Sequence, residues 1–343
     1  MDFSLDIKQR IEEFKSRVIV IGDVILDQYI QTEYTYSDHE QVKKYNVQEN
    51  LYFPGNAANV AINLHSLGLQ PHLIGIIGDD PAANILINTL QGRVNTKYLI
   101  KNEGCSTSLK SRFQCNGLTH FRVDNGYSLT LTPFLRHQIR KHILSILKSY
   151  EIKIIILADN GEGTLDPLLI KEVCNLANSK GISVITDPSK NTDFKSYTSS
   201  SVLVPNLEEF NELTQQHFST ARQAIPYAQS LLEGTNLHYI ILKDSERGSY
   251  LVTQHKGVLY CPALSSTIQS SVGAGDSFIS MLAVSELINL PLDVSFRLSN
   301  LAAAISVQKP FTSAVTLDDL DNQSHSIDEN LSYFKEWREI HDS

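Results

Sequence analysis

From residue 135 onward, apolar segments of two lengths alternate with little interruption, and that rhythm limits the architectures open to the chain. Leu135–Ser149 carries Ile139, Ile143 and Ile146 at helical spacing. Lys153–Ala158 is a short apolar run, Pro167–Ser179 reads as a helix, and Ile182–Thr186 is a second short run. Ser201–Val204, a helix near Leu207–Leu213, a helix over Ala221–Leu232 and the run His238–Leu242 continue the series. Strands separated by helices of this length pair in parallel with helices on both faces, so the pattern implies an α/β chain with a mostly parallel central sheet. Ligands of such sheets bind beyond the carboxyl ends of the strands. That singles out the loops at Gly22–Asp27, Asp159–Gly163, Asp187–Lys190, Pro205–Glu209 and Lys243–Gly248.

The front of the chain follows a different pattern. Arg17–Gly22 and His72–Gly78 read as strands, and Ala57–Leu67 reads as a helix stopped by Gly68. Glu33–Glu49 is polar and aromatic, which suits strands of a small exposed sheet. Ser106–Asp124 alternates on either side of Asn116-Gly117, a hairpin signal. Together these segments predict a small β lid, from about 31–50 and 106–124, on a single domain spanning 1–330. The remaining 331–343, which includes Tyr333-Phe334-Lys335-Glu336-Trp337-Arg338, reads as a C-terminal tail helix.

Charge and composition exclude several functions. A formal net charge of -9 argues against nucleic acid as the main partner. The longest apolar runs, such as Ile152–Ala158, are too short to cross a bilayer, so no membrane partner is expected. The first seventeen residues are charged and carry no apolar signal core. Four scattered cysteines form no Cys-x-x-Cys pair, and the histidines form no His-x-x-x-His pair. A reduced, cytoplasmic setting without structural zinc is the expectation.

The sharpest chemical signal is Gly273-Ala274-Gly275-Asp276, followed by the apolar helical run Ile279, Leu282, Ala283 and Leu287. Two glycines allow a tight turn, and the helix start that follows adds unpaired N–H donors and partial positive charge, a ready anion site. Asp276 beside it has two readings: a helix N-cap, worth about 1 kcal/mol, or a base that takes the proton of an attacking hydroxyl while the amides hold a transferring phosphoryl. A second signal is the pair Gly22-Asp23-Val24-Ile25-Leu26-Asp27 and Pro54-Gly55-Asn56-Ala57-Ala58-Asn59. Asp27 and Asn59 suit sugar hydroxyls, or simply satisfy turns and caps. Arg122 suits a phosphate on the substrate, gripped bidentately, or a surface pair with a neighbouring acid.

In order and spacing these motifs resemble the ribokinase-like (phosphofructokinase-B type) carbohydrate kinases, and within them the bacterial D-glycero-D-manno-heptose-7-phosphate kinases. GDVILDQY (22–29), PGNAANVAINLHSLG (54–68), Arg122-Val123-Asp124, Asp187-Pro188 and Pro205-Asn206-Leu207-Glu208-Glu209-Phe210 carry the likeness, over about 17–320. The resemblance implies a three-layer α/β/α fold with a β lid and transfer of the γ-phosphoryl group of ATP, with Mg²⁺, to a sugar-phosphate hydroxyl. It implies Asp276 as base and Gly273, Ala274 and Gly275 as the anion hole. Asn206, Glu209, Lys243, Ser245, Gly248 and Asn300 fall at nucleotide-side positions, Glu209 reaching Mg²⁺ through water. Asp27, Gly55, Asn56, Asn59, Arg122 and Asp187 fall on the sugar side. Covering the lid edges across a two-fold axis would make a homodimer.

Some positions depart from the family pattern. Ser270 stands where an Asp helps position a monovalent cation, so potassium dependence is not implied. Asn56 replaces the second Gly of Pro-Gly-Gly, and Ser189 replaces a Lys after Asp-Pro, with Lys190 one step late. Glu162 stands where a Lys near phosphate is usual, and Lys243 where a Thr is usual. Two alternatives therefore accompany the heptose-phosphate expectation: a kinase for another sugar, cyclitol or nucleoside, and a kinase-like protein that binds ligands without transfer.

Overall fold

The computed structural model describes residues 3–126, 129–254, 257–265 and 267–323. The strand–helix rhythm builds a nine-stranded central sheet from β1 (Val18–Gly22), β4 (His72–Ile77), β5 (Leu99–Lys101), β8 (Ile154–Ala158), β9 (Ser183–Asp187), β10 (Val202–Leu203), β11 (Tyr239–Lys243), β12 (Ser249–Thr253) and β13 (Val258–Cys261). The order across it is β13-β12-β11-β10-β9-β8-β1-β4-β5. The seven strands from β11 to β5 are parallel, and β12 and β13 add an antiparallel edge.

Every residue of β1 and β8 is buried, as expected of strands covered on both faces. The alternation of side chains sorts them. Val18 and Val20 enter one core with α1 (Phe3–Glu12), α2 (Ala57–Ser66), α3 (Pro81–Leu90), α8 (Ala274–Leu287) and α9 (Leu292–Val307). Ile19 and Ile21 enter the other with α4 (Pro133–Ser149), α5 (Pro167–Asn178), α6 (Leu207–Thr214) and α7 (Ala221–Leu232). The α4 face read from periodicity is the buried one: Leu135, Ile139, Ile143 and Ile146, each contributing about 1.5–3 kcal/mol by burial. Thr132, Asp166 and Thr220 cap α4, α5 and α7 by accepting from backbone N–H groups.

A second, four-stranded sheet has the order β3-β2-β6-β7, with β2 (Val24–Ser37), β3 (Val42–Asn56), β6 (Ser108–Cys115) and β7 (Leu118–Asn125). The hairpin between β6 and β7 turns at Asn116 (φ 51) and Gly117 (φ 77), both left-handed, as an Asn-Gly hairpin turn requires. The first two strands are longer than 31–50, and Gly22–Asp27 is not a loop. Asp23 alone separates β1 from β2. Its buried carboxylate accepts from the N–H groups of Asn160, Glu162 and Thr164, so one residue turns the chain while holding the loop after β8.

Among the described residues no helix is long and apolar enough to cross a membrane. The expected tail helix at 331–343 lies outside the described residues.

Candidate active site

Helix α8 is buried on nearly all sides, between the sheet, α2 and α9. The polar residues of its first two turns are engaged: Ser277 Oγ donates to Asn63 Oδ1, and Ser280 Oγ to the carbonyls of Val60 and Asp276. The helix start is thereby fixed. Gly273 occupies the cap position at φ 86, and a Cβ there would lie 2.8 Å from Asn59 Nδ2. The turn thus needs glycine for both its backbone angle and its close approach. No side chain caps the helix, which leaves its first N–H groups available to an anion.

Asp276 is the third residue of α8, so it is not the N-cap. Its Oδ2 accepts from Asn59 Nδ2 at 2.7 Å, and Asn59 Oδ1 accepts from Asn63 Nδ2 at 3.2 Å. Asn63 Oδ1 also accepts from Val315 N–H, tying this chain of amides to the segment after α9. Asp276 is partly exposed. Burial pushes its carboxyl up, Asn59 works against that, Asp187 and Asp27 add to it, and Lys243 opposes it; the result is about 7. A carboxyl poised there exchanges protons readily near neutral pH.

Beyond the carboxyl ends of the strands lie seven other expected residues. Lys243, the last residue of β11, places Nζ 3.0 Å from Asp187 Oδ1 at the end of β9. Glu209 lies in the first turn of α6 and forms a capping box with Asn206: Asn206 N–H donates to Glu209 Oε2 at 2.7 Å, and Glu209 N–H to Asn206 Oδ1 at 2.8 Å. Burial pushes the Glu209 carboxyl up, opposed by Lys243. Ser245 and Gly248 bound a 3₁₀ turn (Ser245–Arg247), with φ 48 and 89. A Cβ on Gly248 would fall 2.1 Å from the Cys261 carbonyl oxygen. Asn300 on α9 accepts from Ser249 Oγ at 2.7 Å and donates to the Phe296 carbonyl at 2.8 Å. Both ends of that side chain are thus held by the protein body.

On the other side, Asp27 of β2 is buried, with Oδ1 2.5 Å from Arg112 Nη1 and Oδ2 accepting from Thr312 Oγ1 at 3.2 Å. Gly55, opposite Ile25 in the ladder, makes room: a Cβ there would lie 2.7 Å from Asp27 Oδ2. Asn56 sits at φ 45 and donates to the Ala158 carbonyl at 3.2 Å, fastening β3 to β8. Arg122 takes the plainer of its two readings. It pairs with Asp124 at 2.7 Å, both about half exposed.

The departures from the family pattern have local partners. Glu162 pairs with Lys110 of β6 at 3.4 Å, Lys190 pairs with Glu208 on the surface, and Ser270 Oγ accepts from Val272 N–H. Sequence reasoning missed Arg112, Lys110, Thr312 and Asn63. The alternation of β6 was the available signal for the first two, because it places Lys110 and Arg112 on one face. Thr312 and Asn63 carry no local signal.

Comparison with known proteins identifies the family and the fold. The model of the pfkB family carbohydrate kinases matches residues 15–319. The chain is 30% identical over 307 residues to Bifunctional protein HldE of Rhodopseudomonas palustris, covering 88% of this chain and 62% of that protein. It is 30% identical over 316 residues to the protein of the same name from Aliivibrio salmonicida, covering 91% and 64%. The chain thus spans just over three-fifths of the length of these relatives. In fold it is similar to phosphofructokinase-2 from Escherichia coli, with a TM-score of 0.74, 18% identity and coverage of 93% and 99%. It is also similar to Arabidopsis thaliana ribokinase, with a TM-score of 0.67, 17% identity and coverage of 89% and 95%. With a family match over most of its length and a ribokinase-like three-layer fold, the chain belongs to the pfkB family of carbohydrate kinases.

Proposed function

We propose that the chain transfers the γ-phosphoryl group of ATP to a hydroxyl of a sugar phosphate, with D-glycero-D-manno-heptose 7-phosphate as the substrate. The observation that carries this reading is the position of Asp276. A carboxyl with its proton equilibrium near 7 lies at an uncapped helix turn, within electrostatic reach of Asp27 on one side and of Lys243 and Asp187 on the other. The sugar lies between Asp27 and Asn59, and the phosphates lie along Gly273–Gly275. Asp276 takes the hydroxyl proton as the sugar oxygen attacks phosphorus. Glu209 would suit a water of a Mg²⁺ ion carried by the nucleotide, because its capping box uses Oε2 alone. Mg²⁺ supplies charge neutralisation on the phosphates.

The small sheet supports an anionic sugar. Arg112 and Arg122 are register partners, and Lys110 lies two residues before Arg112, so three cations share one face, each with a carboxylate partner (Asp27, Asp124 and Glu162) that an incoming phosphate would have to share. The motif order shared with heptose-phosphate kinases favours that sugar, as does the 30% identity to proteins named HldE. ADP release measured over a panel of phosphorylated and free heptoses, hexoses, cyclitols and nucleosides tests the reading. The expected result is kcat/KM for heptose 7-phosphate about 10–100-fold above that for the free sugar, the worth of one or two charged hydrogen bonds. Equal rates for free sugars overturn the substrate. No ADP release with any sugar overturns the reaction.

We further propose that the small sheet is a lid that pairs two copies of the chain. Tyr34, Tyr36, Val42, Val47, Leu118, Phe121 and Val123 are exposed, and they make up seven of the thirteen large exposed apolar residues among the described ones. That concentration on one sheet marks an interaction surface. Sedimentation should read a dimer for the wild type and a monomer for Phe121→Asp/Val123→Asp. A monomeric wild type at micromolar concentration refutes the pairing.

A further inference from the structure

Lys243 has surroundings that simple nucleotide contact does not require. The backbone of β11 aims it: Lys243 N–H donates to the Pro205 carbonyl at 3.0 Å, and a bridge links it to Asn206. The side chain therefore rises from the sheet edge directly beneath the start of α8. Its Nζ lies 3.5 Å from where a Cβ on Gly275 would begin. That point belongs to the first turn of α8, so the ammonium sits against the turn that carries the uncapped amides. Three carboxylates surround the ammonium: Asp187, Glu209 and Asp276. Of these only Asp187 is in salt-bridge contact, at 3.0 Å. An ammonium has three N–H donors, and Asp187 Oδ1 takes one of them. The side chain is one-fifth exposed.

Resting on the kinase reading above, we propose that Lys243 is a catalytic residue that donates to the transferring γ-phosphoryl group, with Asp187 as its positioning residue. In the transfer, the sugar oxygen forms a bond to the γ-phosphorus and the bond from that phosphorus to the β–γ bridging oxygen breaks. The hydroxyl proton moves to Asp276, and ADP leaves with the electron pair of the broken bond. Lys243 keeps all three protons. Its role is to meet charge that spreads over the equatorial and leaving oxygens, where a preorganised cation in a partly desolvated site acts most strongly. Asp187 holds the ammonium in place before the nucleotide arrives, so little reorganisation accompanies the reaction.

The test uses the full chain with Lys243→Met, Lys243→Arg and Asp187→Asn. Lys243→Met is expected to lower kcat by about 10²–10³-fold, the usual effect of removing one preorganised donor, with KM for ATP changed less than about fivefold. Lys243→Arg should restore part of kcat, and Asp187→Asn should lower kcat by about tenfold. A Met variant within threefold of wild-type kcat overturns the proposal, as does a loss confined to KM for ATP. Lys243→Gln serves where the Met variant does not fold. A second arm separates this proposal from the kinase reading, by calorimetric binding of ADP and of a non-hydrolysable ATP analogue. If the wild type phosphorylates no sugar, the kinase reading fails and binding alone decides on Lys243. Wild type should then prefer the analogue over ADP by about threefold to fivefold, and the Met variant should lose that preference. Equal preference in both proteins, or none in the wild type, overturns the role.

Discussion

Asp276→Asn is expected to lower kcat by about 10²–10⁴-fold, the usual contribution of a general base, while the chain stays folded and gains thermal stability. The substitution conserves shape, and an Asn oxygen can still accept from Asn59 Nδ2, which is 2.7 Å from Oδ2 in the native protein. What it removes is the proton acceptor. The pH dependence follows from the same carboxyl. Its ordinary value is 3.8, and burial raises it to about 7 in the folded chain. The base works only when deprotonated, so wild-type kcat/KM should rise through pH 7 and level off above it. The residual activity of Asp276→Asn should lack that limb. Stability moves in the opposite sense. A raised carboxyl binds its proton more tightly in the folded state, so deprotonation costs folding free energy as pH rises from about 4 to about 7, and the cost persists above. Asn carries no charge, so its gain in Tm should be greatest above pH 7 and should vanish near pH 4. Turnover by Asp276→Asn within tenfold of wild type, or a wild-type profile flat from pH 6 to 8, would remove Asp276 from the mechanism. A site that favours activity over stability is common where a charge is held in a poorly solvated cleft.

The parts of this fold legible in the sequence are those governed by neighbours along the chain. Ile139, Ile143 and Ile146 mark the buried face of α4 because helical periodicity is local. Asn116-Gly117 marks its hairpin because only the two turn residues must adopt positive φ. Gly273 was legible for the same reason. The hidden parts depend on distant partners. Gly22–Asp27 reads as a loop because Asp23 is polar and follows a glycine. It is strand on either side of one residue, because that carboxylate is satisfied by amides more than 130 positions away. Asn206 and Glu209 were expected at the nucleotide from the family resemblance, and their spacing also makes a capping box. That box starts helix α6 beside Lys243. Arg122 was selected over Arg112 because it belongs to a motif. Arg112 is the arginine beside Asp27, and that pairing joins two strands 85 positions apart. The alternation of β6 puts Arg112 on one face with Lys110, but it does not say how deeply either is buried.

The second large effect is expected at that arginine. Arg112→Met should destabilise the chain by about 3–5 kcal/mol, because removing one partner of a buried ion pair leaves the other charge uncompensated. The Arg112 and Asp27 side chains are only 10% and 5% exposed, and Nη1 lies 2.5 Å from Oδ1. The guanidinium also stands over the Tyr29 ring, 5.3 Å from its centre, and Tyr29 OH bonds with Thr312, which donates to the same carboxylate. Methionine fills much of the volume but can neither neutralise Asp27 nor donate to it. The thermodynamic cycle separates charge from packing. If the loss comes from the stranded carboxylate, Arg112→Met/Asp27→Asn should be more stable than Arg112→Met alone, although it carries one more substitution. If it comes from packing, the two losses should add. Urea midpoints of the four proteins decide between these outcomes. A midpoint for Arg112→Met within about 0.5 kcal/mol of wild type, the range of an ordinary surface change, would show that the carboxylate finds water or another partner. Asp27 lies on the sugar side by the motif resemblance, so the same single variant should raise KM for the sugar substrate more than KM for ATP. Retained sugar affinity with lost stability would make the pair a fastening of the small sheet alone.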